Sequence, residues 1–118
     1  MATLSMFELS ELFTCQVNLA RLELDIRTAF ADYTASASEQ RPMLIVLKGQ
    51  GRIAREFVDF LVQGIVQTET PAIGLVRNDL LIQFLVSSIN LRCPKTVVKA
   101  FKTEADAKVW LMSCSCSF

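Results

Sequence analysis

The sequence predicts a single α/β domain with a mainly parallel or mixed sheet of about five strands and about four helices. Short apolar runs rich in branched residues, at 43–47, 72–76 and 96–101, are typical of buried strands. Segments with helical periodicity separate these runs, and strands that alternate with helices form parallel sheets covered by helices. No linker or internal repeat interrupts the 118 residues, so residues 1–118 are expected to share one core.

The run at 43–47 predicts the central strand. It is unbroken and apolar, with Pro42 before it and a turn containing Gly49 and Gly51 after it. Such a run is typical of a strand buried on both faces. The strand at 96–101 carries Lys99, which favours a place near an edge of the sheet.

The N-terminal residues 1–17 are expected to form a strand hairpin, with strands at 6–9 and 13–17. Phe13, Cys15 and Val17 alternate with Thr14 and Gln16, which is the period of a strand. A short helix that starts at Ser5, with Glu8 completing a capping box, remains the alternative for the first part of this segment. At the other end of the chain, residues 112–118 are expected to form a tail.

Two helices are predicted before and after the central strand. The first covers about 18–35, and its apolar residues form one narrow stripe: Leu22, Ile26, Ala29, Phe30 and Tyr33. The second covers about 52–63 and is expected to end at Gly64, because glycine is common just past a helix C-terminus.

Two further helices are predicted in the C-terminal half. Asn78 is a good N-cap for a third helix at about 79–91. The run 103–106 resembles a capping box and opens a last helix. That helix is expected to bury Ala107, Trp110 and Leu111.

Composition excludes several functional classes. The chain has 12 basic and 12 acidic residues, and this balance argues against general nucleic-acid binding. Histidine is absent, which removes histidine-dependent nucleophile chemistry and most zinc sites. The spacing of the four cysteines matches no metal-binding or redox motif. The pairs of carboxylates on the predicted helices are typical of solvent-exposed helix faces. We therefore expect no catalytic residues, no metal and no cofactor.

The hydropathy pattern indicates a cytoplasmic protein. The longest uncharged stretch, residues 80–91, is shorter than the ~20 residues that cross a bilayer. The N-terminus lacks the basic flank and apolar run of a signal peptide. The mean hydropathy of +0.38 is nevertheless high for a short soluble chain, which indicates a rich core or apolar surface left for a partner.

A weak anion or ligand site is predicted at the carboxyl ends of the strands, where open α/β sheets bind ligands. Helix N-termini at the same edge would add partial positive charge. The alternative is a solvated basic rim in which the glycines only form a tight turn, since Gly-x-Gly alone is a weak signal. The residues expected at this site are Lys48, Gly49, Gly51, Arg52, Arg77 and Lys102.

The third helix is expected to carry an interface for a second copy of the chain or for another apolar partner. Its apolar arc covers roughly 240°, more than packing on one sheet requires. The ridge expected to remain outside the core is formed by Ile82, Val86 and Ile89, with Leu85 beside it. The alternative is that the N-terminal segment or the C-terminal tail covers this ridge within one chain.

Three segments carry a resemblance to a family: residues 52–57, 72–78 and 98–111. In the last, a strand with Phe101 leads into an acidic helix start and then Trp110 and Leu111. On these segments the chain resembles stand-alone bacterial domains of the STAS-like superfamily, the fold of anti-sigma-factor antagonists. The resemblance covers more than half of the chain.

The resemblance implies a regulatory or protein-interaction module without enzymatic activity. The signalling members of the family carry a phosphorylatable serine after the central strand. Residues 48–52 contain neither serine nor threonine, so the phosphoserine switch is expected to be absent. Other relatives are likened to lipid-binding folds, which leaves a binder of a small anionic or lipid-like ligand as the alternative function.

Overall fold

The computed structural model describes residues 12–36, 41–49, 56–77 and 80–115. Within them strands and helices alternate, which confirms the predicted α/β class. The strand or helix expected at 5–9 lies outside the described residues, and four strands are seen where about five were predicted. The elements are β1 (Phe13–Asn18), α1 (Leu22–Ser36), β2 (Met43–Lys48), α2 (Glu56–Thr68), β3 (Ala72–Val76), α3 (Leu80–Arg92), β4 (Val97–Phe101) and α4 (Glu104–Ser115).

The four strands form one parallel sheet in the order β1-β2-β3-β4. Each helix connects one strand to its immediate neighbour, always moving in the same direction across the sheet. Because such crossovers are right-handed, the three connecting helices lie on one face of the sheet. The core contacts agree, because α1, α2 and α3 share a large apolar cluster on one face of the sheet. Among the described helices, only α4, which follows the last strand, packs on the other face.

The second face has a smaller core beneath α4. Leu44, Ala72, Ala107 and Leu111 are fully buried there. At Gly74 the helix lies directly on the strand, since a Cβ on this glycine would be 3.1 Å from Cδ1 of Leu111. The side chains of Thr14 and Gln16, on β1, also lie on this second face, and they are exposed.

The predicted stripe of α1 is confirmed. Ile26, Ala29, Phe30 and Tyr33 are buried, and Leu22 packs at the border of the core. A short 3₁₀ turn at Leu19–Arg21 precedes the helix, and the Asn18 side chain accepts a hydrogen bond from the Ala20 N–H at 2.9 Å. The chain can therefore turn from strand to helix without leaving that N–H unpaired.

The predicted end of α2 at Gly64 is wrong. The helix continues to Thr68, and Glu69 then takes a left-handed conformation with φ of 53°. Gly64 lies in the interior of the helix, where a Cβ would come within 2.3 Å of Cδ2 of Phe30. This glycine therefore allows α1 and α2 to approach closely, and the helix is ended by the left-handed residue.

The predicted exposed ridge on α3 is also wrong. Ile82, Val86 and Ile89 are buried in the core beneath α3. Leu85 is half-buried, and among residues 82–92 the large apolar side chains that face solvent are Phe84 and Leu91. With apolar residues around most of the helix, composition alone does not determine which side packs on the sheet.

The last helix begins as predicted and ends later. Thr103 Oγ1 accepts a hydrogen bond from the Asp106 N–H at 3.2 Å, as an N-cap does. Trp110 is half-buried with its ring 5.5 Å from that of Phe101. The helix runs on to Ser115, into the segment expected to be a tail. Of the helices described, none is long and apolar enough to cross a membrane.

Candidate functional site

The described cationic residues of the predicted anion site lie at neighbouring strand ends. Lys48 closes β2 beside Asn18 of β1, while Arg77 follows β3 and Lys102 follows β4. Adjacent strands are about 4.8 Å apart, so these three positions form a row along the carboxyl edge. Lys48 and Lys102 are exposed and Arg77 is half-buried. The positions of Gly51 and Arg52 lie outside the described residues.

Gly49 has a local structural role at this edge. Its φ is 86°, and a Cβ there would lie 2.7 Å from Asn18 Oδ1. Both features require glycine, since other residues avoid this conformation and would collide with the Asn18 side chain. The turn after β2 is thus fitted to the end of β1, which supports the tight-turn interpretation of the glycine.

The described strands provide no switch-point crevice at the carboxyl edge. Ligands of open α/β sheets bind where the strand order reverses, because adjacent crossovers there lie on opposite faces. The described strands run β1-β2-β3-β4 without a reversal. Acidic groups also share this edge, since Glu104 and Asp106 lie in the first turn of α4. A ligand here would bind on an open rim of mixed charge.

A groove of about 400 Å³ lies between α1 and α2. Ile26, Phe30 and Gly64 form its apolar part, while Gln63, Gln67, Thr34 and Thr68 contribute polar groups. The Arg27 guanidinium lies 6.0 Å from the centre of the Phe60 ring. The groove follows from the close approach of the two helices at Gly64, and it contains no cluster of ionisable groups.

A second cavity, of about 470 Å³, lies at the opposite edge of the sheet, beside the C-termini of α2 and α3. Its lining mixes apolar residues, such as Val66 and Pro94, with the charged Glu69, Arg92 and Lys95. Cys93 also lines it, but burial raises the pKa of this thiol. The thiol therefore stays protonated near neutral pH and is a poor nucleophile.

One side chain caps the outer edge of β4 at Val98. Asn90, on α3, donates through Nδ2 to the Val98 carbonyl and accepts through Oδ1 from the Val98 N–H, both at 2.9 Å. The amide thus makes the two hydrogen bonds that another strand would make to Val98. A peptide that tried to pair with β4 would first have to displace Asn90.

The outer edge of β1 is more open. The Phe13 N–H donates to the Pro42 carbonyl at 3.0 Å. Phe13 and every second residue after it therefore direct their N–H and carbonyl groups towards β2. Those of Thr14, Gln16 and Asn18 point outward. The Asn18 N–H donates to Asp25 Oδ2 at 2.8 Å, but in the described ranges nothing bonds the outward groups of Thr14 and Gln16. Sequence reasoning had missed both Asn90 and Asp25, since neither belongs to a motif.

Comparison with family models, curated proteins and solved structures finds no match for this chain. Within 12–36, 41–49, 56–77 and 80–115, no three Cys, Asp or Glu side chains are grouped so that they could hold a metal ion. The predicted interface residues Ile82, Leu85, Val86 and Ile89 belong to the core side of α3, so a contact through this helix would use its outer side.

Proposed function

We propose that this chain is a non-enzymatic regulatory or protein-interaction module of STAS-like type, without a phosphoserine switch, and that it binds through the outer face of α3. The observation that carries the proposal is the pair Phe84 and Leu91, which are 80% and 84% exposed. They are seven residues apart and so lie on the same side of the helix. Large apolar side chains that cluster in solvent on a small domain are typical of contact surfaces.

The partner that fits this face is a second copy of the chain. A two-fold axis between Ser87 and Ser88 would set two α3 helices antiparallel, with Phe84 of each copy against Leu91 of the other. The small serines at the centre allow the helix axes to approach. The Ser87 hydroxyl already donates to the Gln83 carbonyl at 3.2 Å, so burying it leaves its proton satisfied.

The proposed dimer is weak and reversible. The helix has 13 residues, and a contact between two such helices falls below the ~1,200 Å² of total buried area that marks a stable interface. A regulatory module that exchanges partners benefits from such a contact, because a second protein with an apolar helix can compete for the same face.

Sedimentation of the double variant Phe84→Ser/Leu91→Ser tests the proposal. The wild-type chain should shift from monomer to dimer as its concentration rises, and the double variant should stay monomeric with an unchanged circular dichroism spectrum. The matched control is Leu24→Ser/Val109→Ser, which removes side chains that are 60% and 71% exposed on α1 and α4. A wild-type chain that is monomeric at all concentrations, or a control that dissociates equally, contradicts the proposal.

The alternative function is binding of a small anionic or lipid-like ligand at the carboxyl ends of the strands. The row formed by Lys48, Arg77 and Lys102 favours it. Native mass spectrometry of the protein purified from its own host separates the two functions. A dimer mass without added ligand supports the interaction module. A retained ligand that is lost in Lys48→Ser/Lys102→Ser supports the alternative.

A further inference from the structure

We draw no further inference here: the strongest candidate, the outer edge of β1 at Thr14 and Gln16, lies between groups of both charges, Asp25 and Arg41 among them, and nothing in the described part of the structure shows what covers it.

Discussion

The two edge strands, β1 and β4, differ in how the N–H and carbonyl groups on their outer side are hydrogen-bonded. At the β4 edge, the Asn90 amide bonds both the N–H and the carbonyl of Val98. At the β1 edge, the Asp25 carboxylate bonds the N–H of Asn18. An amide carries a donor and an acceptor and can replace a neighbouring peptide group, whereas an ionised carboxylate only accepts. The comparison teaches that one asparagine can satisfy both outward groups of an edge residue, whereas a carboxylate satisfies only an N–H.

Asn90→Leu should have the largest effect. The variant leaves the N–H and carbonyl of Val98 without partners at a residue that is only 2% exposed, and we expect a loss of about 2–4 kcal/mol in the free energy of unfolding. Urea unfolding measures this loss, and aggregation of the variant would show that the edge had been opened. The control Ser87→Ala, on the same helix, should change the stability by less than about 0.5 kcal/mol. A loss below 1 kcal/mol for Asn90→Leu would mean that the Asn90 cap does not stabilise Val98 at the edge.

The next effect concerns the Cys15 thiol on β1. Burial, with a smaller contribution from Asp32, raises its pKa from 9.0 to about 12. Between these values the unfolded thiol has lost its proton and the folded thiol has kept it. Stability should therefore fall as the pH rises above 9, by up to about 1.4 kcal/mol per pH unit, and this contribution is fully present below pH 9.

Urea unfolding of wild type and Cys15→Val at a series of pH values measures that slope. The variant should lack the Cys15 contribution, and Cys93 remains in both proteins, so the difference belongs to Cys15. Asp32→Asn should lower the folded pKa of Cys15 slightly, so the fall in stability should end at a lower pH. Equal slopes for wild type and Cys15→Val above pH 9 would show that the thiol beneath α1 is hydrated.

The smallest effect is expected at the cap of the open edge. Asp25→Ala removes the acceptor of the Asn18 N–H, which lies 2.8 Å away, and should cost about 1 kcal/mol. Asp25→Asn keeps an acceptor and should cost less than about 0.5 kcal/mol. Thermal or urea unfolding of both variants separates the hydrogen bond from the charge. If both variants are as stable as the wild type, water replaces Asp25 as the acceptor of the Asn18 N–H. The cap at the β1 edge then contributes no stability, and the difference between the two edges is larger.

Most of the fold could be predicted because local signals agree with one another. The run at 72–76 is short, apolar and flanked by turn signals, and it forms β3 with the predicted bounds. The stripe of α1 is narrow, so only one side of that helix can face the core. The end of α2 was mispredicted because glycine has two uses, and close approach to Phe30 competes with helix termination.

The contact surfaces could not be predicted to the same degree. In any parallel sheet the strands end at the same edge. The order of the strands along the sequence is therefore enough to predict that Lys48, Arg77 and Lys102 lie in a row. The orientation of α3 is different, because its apolar residues surround most of the helix and only packing on the sheet makes Phe84 and Leu91 the outer pair. The edge caps depend on the direction of two side chains across a turn, which no sequence pattern encodes.

The consecutive strand order has a consequence for how the protein is made. Each strand pairs with the strand synthesised just before it, so the sheet can grow on the ribosome in chain order without waiting for distant segments. Asn90 precedes Val98 by eight residues. The side chain that caps Val98 therefore leaves the exit tunnel before β4 does, so this part of the newest edge can be covered as soon as the strand forms.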